Sequence, residues 1–187
     1  MWLPDVHWLG SLRAAAIVLM AGLAGGCFQP MYSERGSVGG ESSMALALAS
    51  VDIPEIKTPQ GTRIARVSVE LRNNVIFALT GGRGMTAPTH RLTIVMSGAQ
   101  QQLIVDINTG RADIKNYNLS AAYTLIDIAT RRTVVNGVST APVTYNIPGQ
   151  QQRFVGERGL RDAENRAALV MAEHIRNRLA SYFTAGT

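Results

Sequence analysis

Between residues 50 and 183 the spacing of apolar positions changes several times, and each change marks an element. Ser50-Val51-Asp52-Ile53-Pro54-Glu55-Ile56 alternates apolar and polar side chains, the period of a strand. Pro54 has no N–H, which restricts that segment to an edge or a strand end. Thr58-Pro59-Gln60-Gly61 reads as a turn. From Thr62 to Leu79 the period becomes helical. Ile64, Val67, Leu71, Val75, Ala78 and Leu79 fall on one face, with Arg63, Arg66, Glu70 and Asn73 on the other. Gly81-Gly82 stops this helix and opens a loop that runs to Pro88.

Strand patterns follow. The first is Arg91–Ser97, which continues or bends into Gln102–Ile107. The next spans Arg111–Asp127, where Tyr117, Leu119, Ala121, Tyr123 and Leu125 alternate with Asn118, Ser120 and Thr124. The last is Thr133–Tyr145, joined to its predecessor by a turn over Asp127–Arg132. Short links between consecutive strands imply antiparallel hairpins. After a loop holding Pro148-Gly149, a long helix is predicted from Phe154 to Phe183. It puts Leu160, Ala163, Ala167, Met171, Ile175, Leu179 and Tyr182 on one face. Arg158, Arg161, Glu173, Arg176 and Asn177 mostly face water. The order β-α-β-β-β-α predicts an α+β domain over residues 49–187. Its sheet is four-stranded and mainly antiparallel, with two helices packed on one face so that both apolar stripes are buried.

The first 48 residues read differently. Arg13 precedes the apolar run Ala14–Ala24, which is too short to span a bilayer, a task needing about 20 apolar residues. It has the length of a signal-peptide core. It ends in Ala24-Gly25-Gly26 and then Cys27, the chain's single cysteine. Small side chains suit the narrow pocket of a signal peptidase, and a cysteine directly after the cut is the acceptor of a diacylglycerol. Leu23-Ala24-Gly25-Gly26-Cys27 resembles a lipobox, with leucine one place further from the cysteine than in the commonest form. The expected organisation is a lipoprotein signal peptide over 1–26 and a lipidated, Gly/Ser/Ala-rich tether over 27–48. Ala45–Ala49 is able to form a short helical turn. Cys27 is the expected lipid attachment site, carrying diacylglycerol and an N-acyl chain. Each buried methylene adds about 0.8 kcal/mol, and more than one acyl chain makes anchoring stable.

Composition narrows the function classes. The chain has 187 residues, 46% hydrophobic and 17% charged. Removing residues 1–26 leaves enough for one domain with a core of its own. A lone cysteine forms neither an internal disulfide nor a zinc cluster. The net charge is +5, and Arg13 and Asp5 cancel, so the mature chain keeps it. A mild basic excess suits an anionic partner. Nucleic acid is not expected, because no stripe interleaves bases with aromatic residues. The histidines His7, His90 and His174 show no metal-ligand spacing, and a structural role is expected for His174. No Gly-x-Ser-x-Gly elbow occurs. Gly81-Gly82-Arg83-Gly84 lacks the Lys-Ser/Thr of a phosphate loop. Glu157 and Asp162 near the start of the last helix suit its dipole. An enzyme is not expected, and no cofactor is implied. The feature left over is a set of bases on the predicted sheet: Arg91, Arg111, Lys115, Arg131 and Arg132. Two readings stand for them: phosphate contacts to an anionic lipid, or gatekeeper charges on a solvated hairpin.

Cys27-Phe28-Gln29-Pro30-Met31-Tyr32 resembles the mature start of the LPS-assembly lipoprotein family (LptE), in its alphaproteobacterial form. So do Val51-Asp52-Ile53-Pro54, Asn73-Asn74-Val75, Tyr117-Asn118-Leu119, Ala122-Tyr123, Thr144-Tyr145-Asn146 and the closing helix from Glu157-Arg158 to Tyr182-Phe183. This resemblance implies two helices on a four-stranded sheet. It also implies an outer-membrane lipoprotein, on the periplasmic face, that sits within the large β-barrel translocon LptD and helps deliver lipopolysaccharide. Phe28 rather than Asp follows Cys27, so the usual inner-membrane retention signal is absent. The family's lipopolysaccharide contacts come from basic residues on strands and loops, and the five bases above are the candidates of that kind. The alternative is a periplasmic adaptor of a lipid transporter, or a cell-wall-binding lipoprotein.

Overall fold

The computed structural model describes residues 43–106, 111–147 and 153–185. The predicted signal peptide, Cys27 and most of the predicted tether lie outside the described residues. The elements are α1 (Ser43–Ala49), β1 (Val51–Asp52), α2 (Arg63–Thr80), β2 (His90–Asp106), β3 (Arg111–Asp127), β4 (Thr133–Asn146) and α3 (Arg153–Ala185). They form an α+β domain around one four-stranded sheet of order β1-β2-β3-β4. The short helix α1 takes up the end of the stretch read as tether.

β2, β3 and β4 are an antiparallel meander, and β1 pairs with β2 in parallel through Val51↔His90 and Asp52↔Arg91. A parallel pair needs a crossover connection, and α2 supplies it. The two strand patterns Arg91–Ser97 and Gln102–Ile107 belong to the one strand β2. Register shifts between Gln102 and Ile104 and between Ile104 and Val105 mark the bend.

The pattern over residues 50–56 forms far less sheet than its alternation predicts. Only Val51 and Asp52 pair with β2. Pro54 offers no N–H, and the Ile53 carbonyl accepts a 2.9 Å bond from Arg72 Nε on α2, so the ladder stops there. Ile53 and Ile56 nevertheless remain buried.

α2 begins where Thr62 Oγ1 accepts a bond from the Ala65 N–H at 3.3 Å, a side-chain N-cap. It ends at Gly81, whose φ of 61° is left-handed and whose N–H donates to the Phe77 carbonyl at 2.8 Å. Val67, Leu71, Val75 and Leu79 are buried along it.

α3 buries Leu160, Ala163, Ala167, Ala168, Met171, Ala172, Ile175, Leu179 and Ala180. The sheet face turned to the helices carries Leu92, Ile94, Tyr117, Leu119, Ala121, Tyr123, Leu125, Val135, Ala141, Val143 and Tyr145, all buried. Each residue on this list is two positions from the next or a multiple of two away within its strand, as a pleated strand demands. The helix face is mostly small and the sheet face mostly large, so the two layers interdigitate closely.

Two glycines make room for two of the tyrosines. A Cβ on Gly98 would overlap the Tyr117 hydroxyl and ring. A Cβ on Gly137, the cross-strand partner of Tyr123, would lie 2.7 Å from the Tyr123 hydroxyl. The rings therefore lie flat over glycine, an arrangement that restores packing where a strand lacks a side chain. Gly98→Ala is expected to force Tyr117 out of place and cost about 1–3 kcal/mol. Equilibrium urea unfolding checks this, and an unchanged or raised midpoint would contradict the packing argument.

Candidate functional site

Among the described residues, no element covers the second face of the sheet. Its outward positions are the alternate residues from Thr93 to Leu103 on β2, Ile114 to Thr124 on β3 and Asn136 to Asn146 on β4. That makes six positions on each of three strands, and none of them is Asp, Glu, Lys or Arg. At the chain's average of 17% charged residues, about three would be expected there; charged groups are the usual means by which a solvated sheet face resists association. Val95, Ala122 and Val138 form a continuous apolar row across the strands, with Val95 67% and Val138 72% exposed. Ser, Thr, Asn and Gln fill most of the rest. Such a surface is cheap to desolvate compared with a charged one, and it is flat and wide.

The five bases read from the sequence lie at two ends of the sheet. Arg91 starts β2, opposite Ile126, and its Nε pairs with Asp52 at 2.9 Å. Arg131 and Arg132 are exposed in the β3–β4 turn at that same end. Arg131 holds a φ of 56° there, and its N–H donates to the Asp127 carbonyl at 2.9 Å. Asp127 also accepts from the Thr130 N–H at 2.8 Å, and this backbone bond holds its carboxyl below the usual carboxylate range. Lys115 lies near the far end of β3, opposite Gln102 and Tyr145. Arg111 begins that strand opposite Asp106, and its side chain is outside the described residues. Eleven residues of strand separate Lys115 from Ile126, about 37 Å at the usual rise. The structure thus groups Arg91, Arg131 and Arg132, and separates them from Arg111 and Lys115.

The histidines bridge elements. His174 Nδ1 on α3 and Ser139 Oγ on β4 are 2.9 Å apart. His90 meets Tyr182 and Phe183 edge-on, at ring separations of 6.3 and 5.2 Å. Among the described residues no group of three His, Cys, Asp or Glu side chains is placed to hold a metal, and no helix is long and apolar enough to cross a membrane.

A third group of charges was not visible as a group in the sequence. Arg63, Arg66, Arg158 and Arg161 line one cleft beside the first turns of α2 and α3. Glu157 pairs with Arg63 at 2.7 Å, and buried Glu164 pairs with Arg66, which also donates to Asn165 Oδ1 at 2.9 Å. Glu157 and Glu164 therefore serve cross-helix pairs, whereas Asp162 pairs with Arg166 within α3 at 2.7 Å; neither helix has an acid in its first turn.

Among the described residues, these features define a two-layer α+β domain with one covered and one open sheet face. Residues 48–179 match the LptE family, described as lipopolysaccharide-assembly. The chain belongs to that family. Among solved structures it is similar to a lipoprotein from Caulobacter crescentus, with TM-score 0.59 and 21% identity over 79% of this chain and 100% of that one. It also resembles rare lipoprotein B from Shewanella oneidensis, with TM-score 0.49 and 11% identity over 73% and 96% of the two chains. A minor lipoprotein from Acinetobacter baumannii gives TM-score 0.49 and 12% identity over 70% and 88%. At these identities the Caulobacter likeness speaks for the fold alone. No curated protein matches the chain.

Burial pushes the Tyr117 phenol up to about 12; the Glu164 carboxylate adds to the rise and the Arg66 charge opposes it. Burial raises Tyr123 and Tyr145 as well. An unfolded chain sheds these protons near pH 10. Below that pH both states keep them and the contribution is intact. Above it the unfolded state is favoured, and stability falls as pH rises through about 10 to 12. Tyr117→Phe is expected to reduce this alkaline loss by up to about 2 kcal/mol. Urea midpoints across that window test it, and identical losses in both proteins would refute it.

Proposed function

We propose that the mature chain is an outer-membrane lipoprotein, anchored at Cys27 on the periplasmic side, that seats in the β-barrel translocon LptD and serves lipopolysaccharide transport. The observation that carries the docking half of this reading is the uncharged open sheet face. A surface with no charged side chain at these eighteen positions, and with Arg91 only at its edge, can be enclosed by another protein wall without stranding a charge at its centre. Membership of the LptE family supports the assembly half. The role is binding and scaffolding, with no catalytic step. Lipidation of Cys27, the outer-membrane address and the barrel partner belong to this proposal together.

Lipopolysaccharide contact is assigned within this reading to the sequence-identified bases. Arg91, Arg131 and Arg132 offer guanidinium forks at one end of the sheet, and Arg111 and Lys115 offer charge at the other. Arginine binds phosphate bidentately. The second guanidinium at the β3–β4 turn makes that end the stronger candidate.

Placing a charge on the open face tests the docking. Val138→Asp is expected to leave the fold intact, since the residue is exposed, and to abolish co-purification of the lipidated protein with LptD. Retention of the complex would sink the docking reading, and recovery of inner-membrane transporter subunits in place of a barrel would favour an adaptor role. Cys27→Ala is expected to remove lipid and release the protein from membranes; labelled palmitate entering the variant would contradict that. Changing Arg131 and Arg132 to Ala is expected to weaken lipopolysaccharide binding several-fold at low salt, where exposed charges act most strongly. Unchanged affinity would remove them from the site.

A further inference from the structure

The cleft between the first turns of α2 and α3 encloses about 420 Å³, a volume within the range of small-molecule sites. Four guanidinium groups line it, from Arg63, Arg66, Arg158 and Arg161, against two carboxylates. Both carboxylates are already engaged, Glu157 with Arg63 and Glu164 with Arg66. Arg158 and Arg161 have no polar partner among the described residues. They stand three residues apart, on one face of α3. The cleft therefore holds two positive charges that nothing in the described chain offsets. Phe154 sits at the rim, 85% exposed, and gives the mouth one apolar wall.

Two paired arginines fix the walls, and two unpaired ones remain free to reach a ligand. A dianion matches the uncompensated charge, and guanidinium forks match the tetrahedral oxygens of phosphate. The volume leaves room for more than a bare ion. We propose that this cleft binds a phosphate monoester carried on a small polar body, held by Arg158 and Arg161 and framed by Arg63 and Arg66. The body is either a soluble sugar phosphate or the headgroup of an anionic lipid. This site is separate from the open sheet face and from the β3–β4 turn, and it does not rest on the lipopolysaccharide reading.

The test is calorimetric titration of the full-length lipidated protein in neutral detergent with glucose 1-phosphate. In parallel, the same titration is made with dibutanoyl phosphatidic acid, a soluble form of an anionic lipid headgroup. Saturable binding of the sugar phosphate, weakened about tenfold or more by Arg158→Gln with Arg161→Gln, supports a soluble ligand. Phosphatidic acid binding lost in the same variant, without sugar phosphate binding, supports the headgroup. The pair is exposed and unpartnered, so the variant is expected to fold, which circular dichroism verifies. Arg158→Lys with Arg161→Lys restores part of the binding if charge is what counts. Absence of binding by both probes, or binding indifferent to Arg158 and Arg161, overturns the proposal.

Discussion

Helix α3 lays a stripe made largely of alanine on a sheet face that carries three buried tyrosines. That contact sets most other features of the domain. Small residues on the helix let its axis come close to the sheet, and the rings lie back over Gly98 and Gly137 to make the approach possible. Gly159 does the same where α3 starts: a Cβ there would press on the Asn146 carbonyl at 3.2 Å and Tyr145 at 3.4 Å. α2 then packs beside α3, tied to it by Arg63–Glu157 and Arg66–Glu164. Since both helices are on one side, no described element covers the sheet's other side.

That bareness makes the composition of the bare side informative. A soluble domain with one solvated sheet face ordinarily spaces lysine and glutamate across it, which keeps strands from meeting other proteins. Here the charges are pushed to the ends of the strands and to the helices. Binding chemistry is thereby divided in space. A broad neutral surface suits a protein wall, while guanidinium groups gathered at the extremities suit phosphate. The two basic extremities differ in kind. The β3–β4 turn presents exposed forks on a tight loop, and the helix cleft presents forks in a concavity.

Much of this architecture was legible in the sequence because its patterns are long. β3 carries its alternation over 17 residues and α3 its stripe over 33, so Arg111–Asp127 and nearly all of the last helix could be read from periodicity. The extent of β1 was not legible. Alternation continues through Ile56, but the Ile53 carbonyl is taken by Arg72 from another element, a competition that no local pattern records. The cleft was hidden for a similar reason. Arg63 and Arg66 lie more than 90 positions from Arg158 and Arg161 in the sequence, and each pair alone reads as the watered side of a helix. The clue available was that both pairs fall in the opening turns of their helices. The five sheet bases showed the converse: they are close in the chain, yet strand length sends them to opposite ends.

α1 lies at the opposite end of α3 from the cleft. Thr184 Oγ1 approaches Met44 Sδ at 3.5 Å, Leu48 is buried, and Ser50 Oγ is 2.7 Å from Thr89 Oγ1. Along α3, 26 residues separate Arg158 in the cleft from Thr184 at that end, about 39 Å at the usual rise. The chain leading toward Cys27 therefore enters beside the C-terminus of α3. With Cys27 lipidated as proposed, a pull along the preceding chain would reach α1 before the β2–β3–β4 ladder. On the proposed reading the small helix is a mechanical fuse, which gives way before the sheet does.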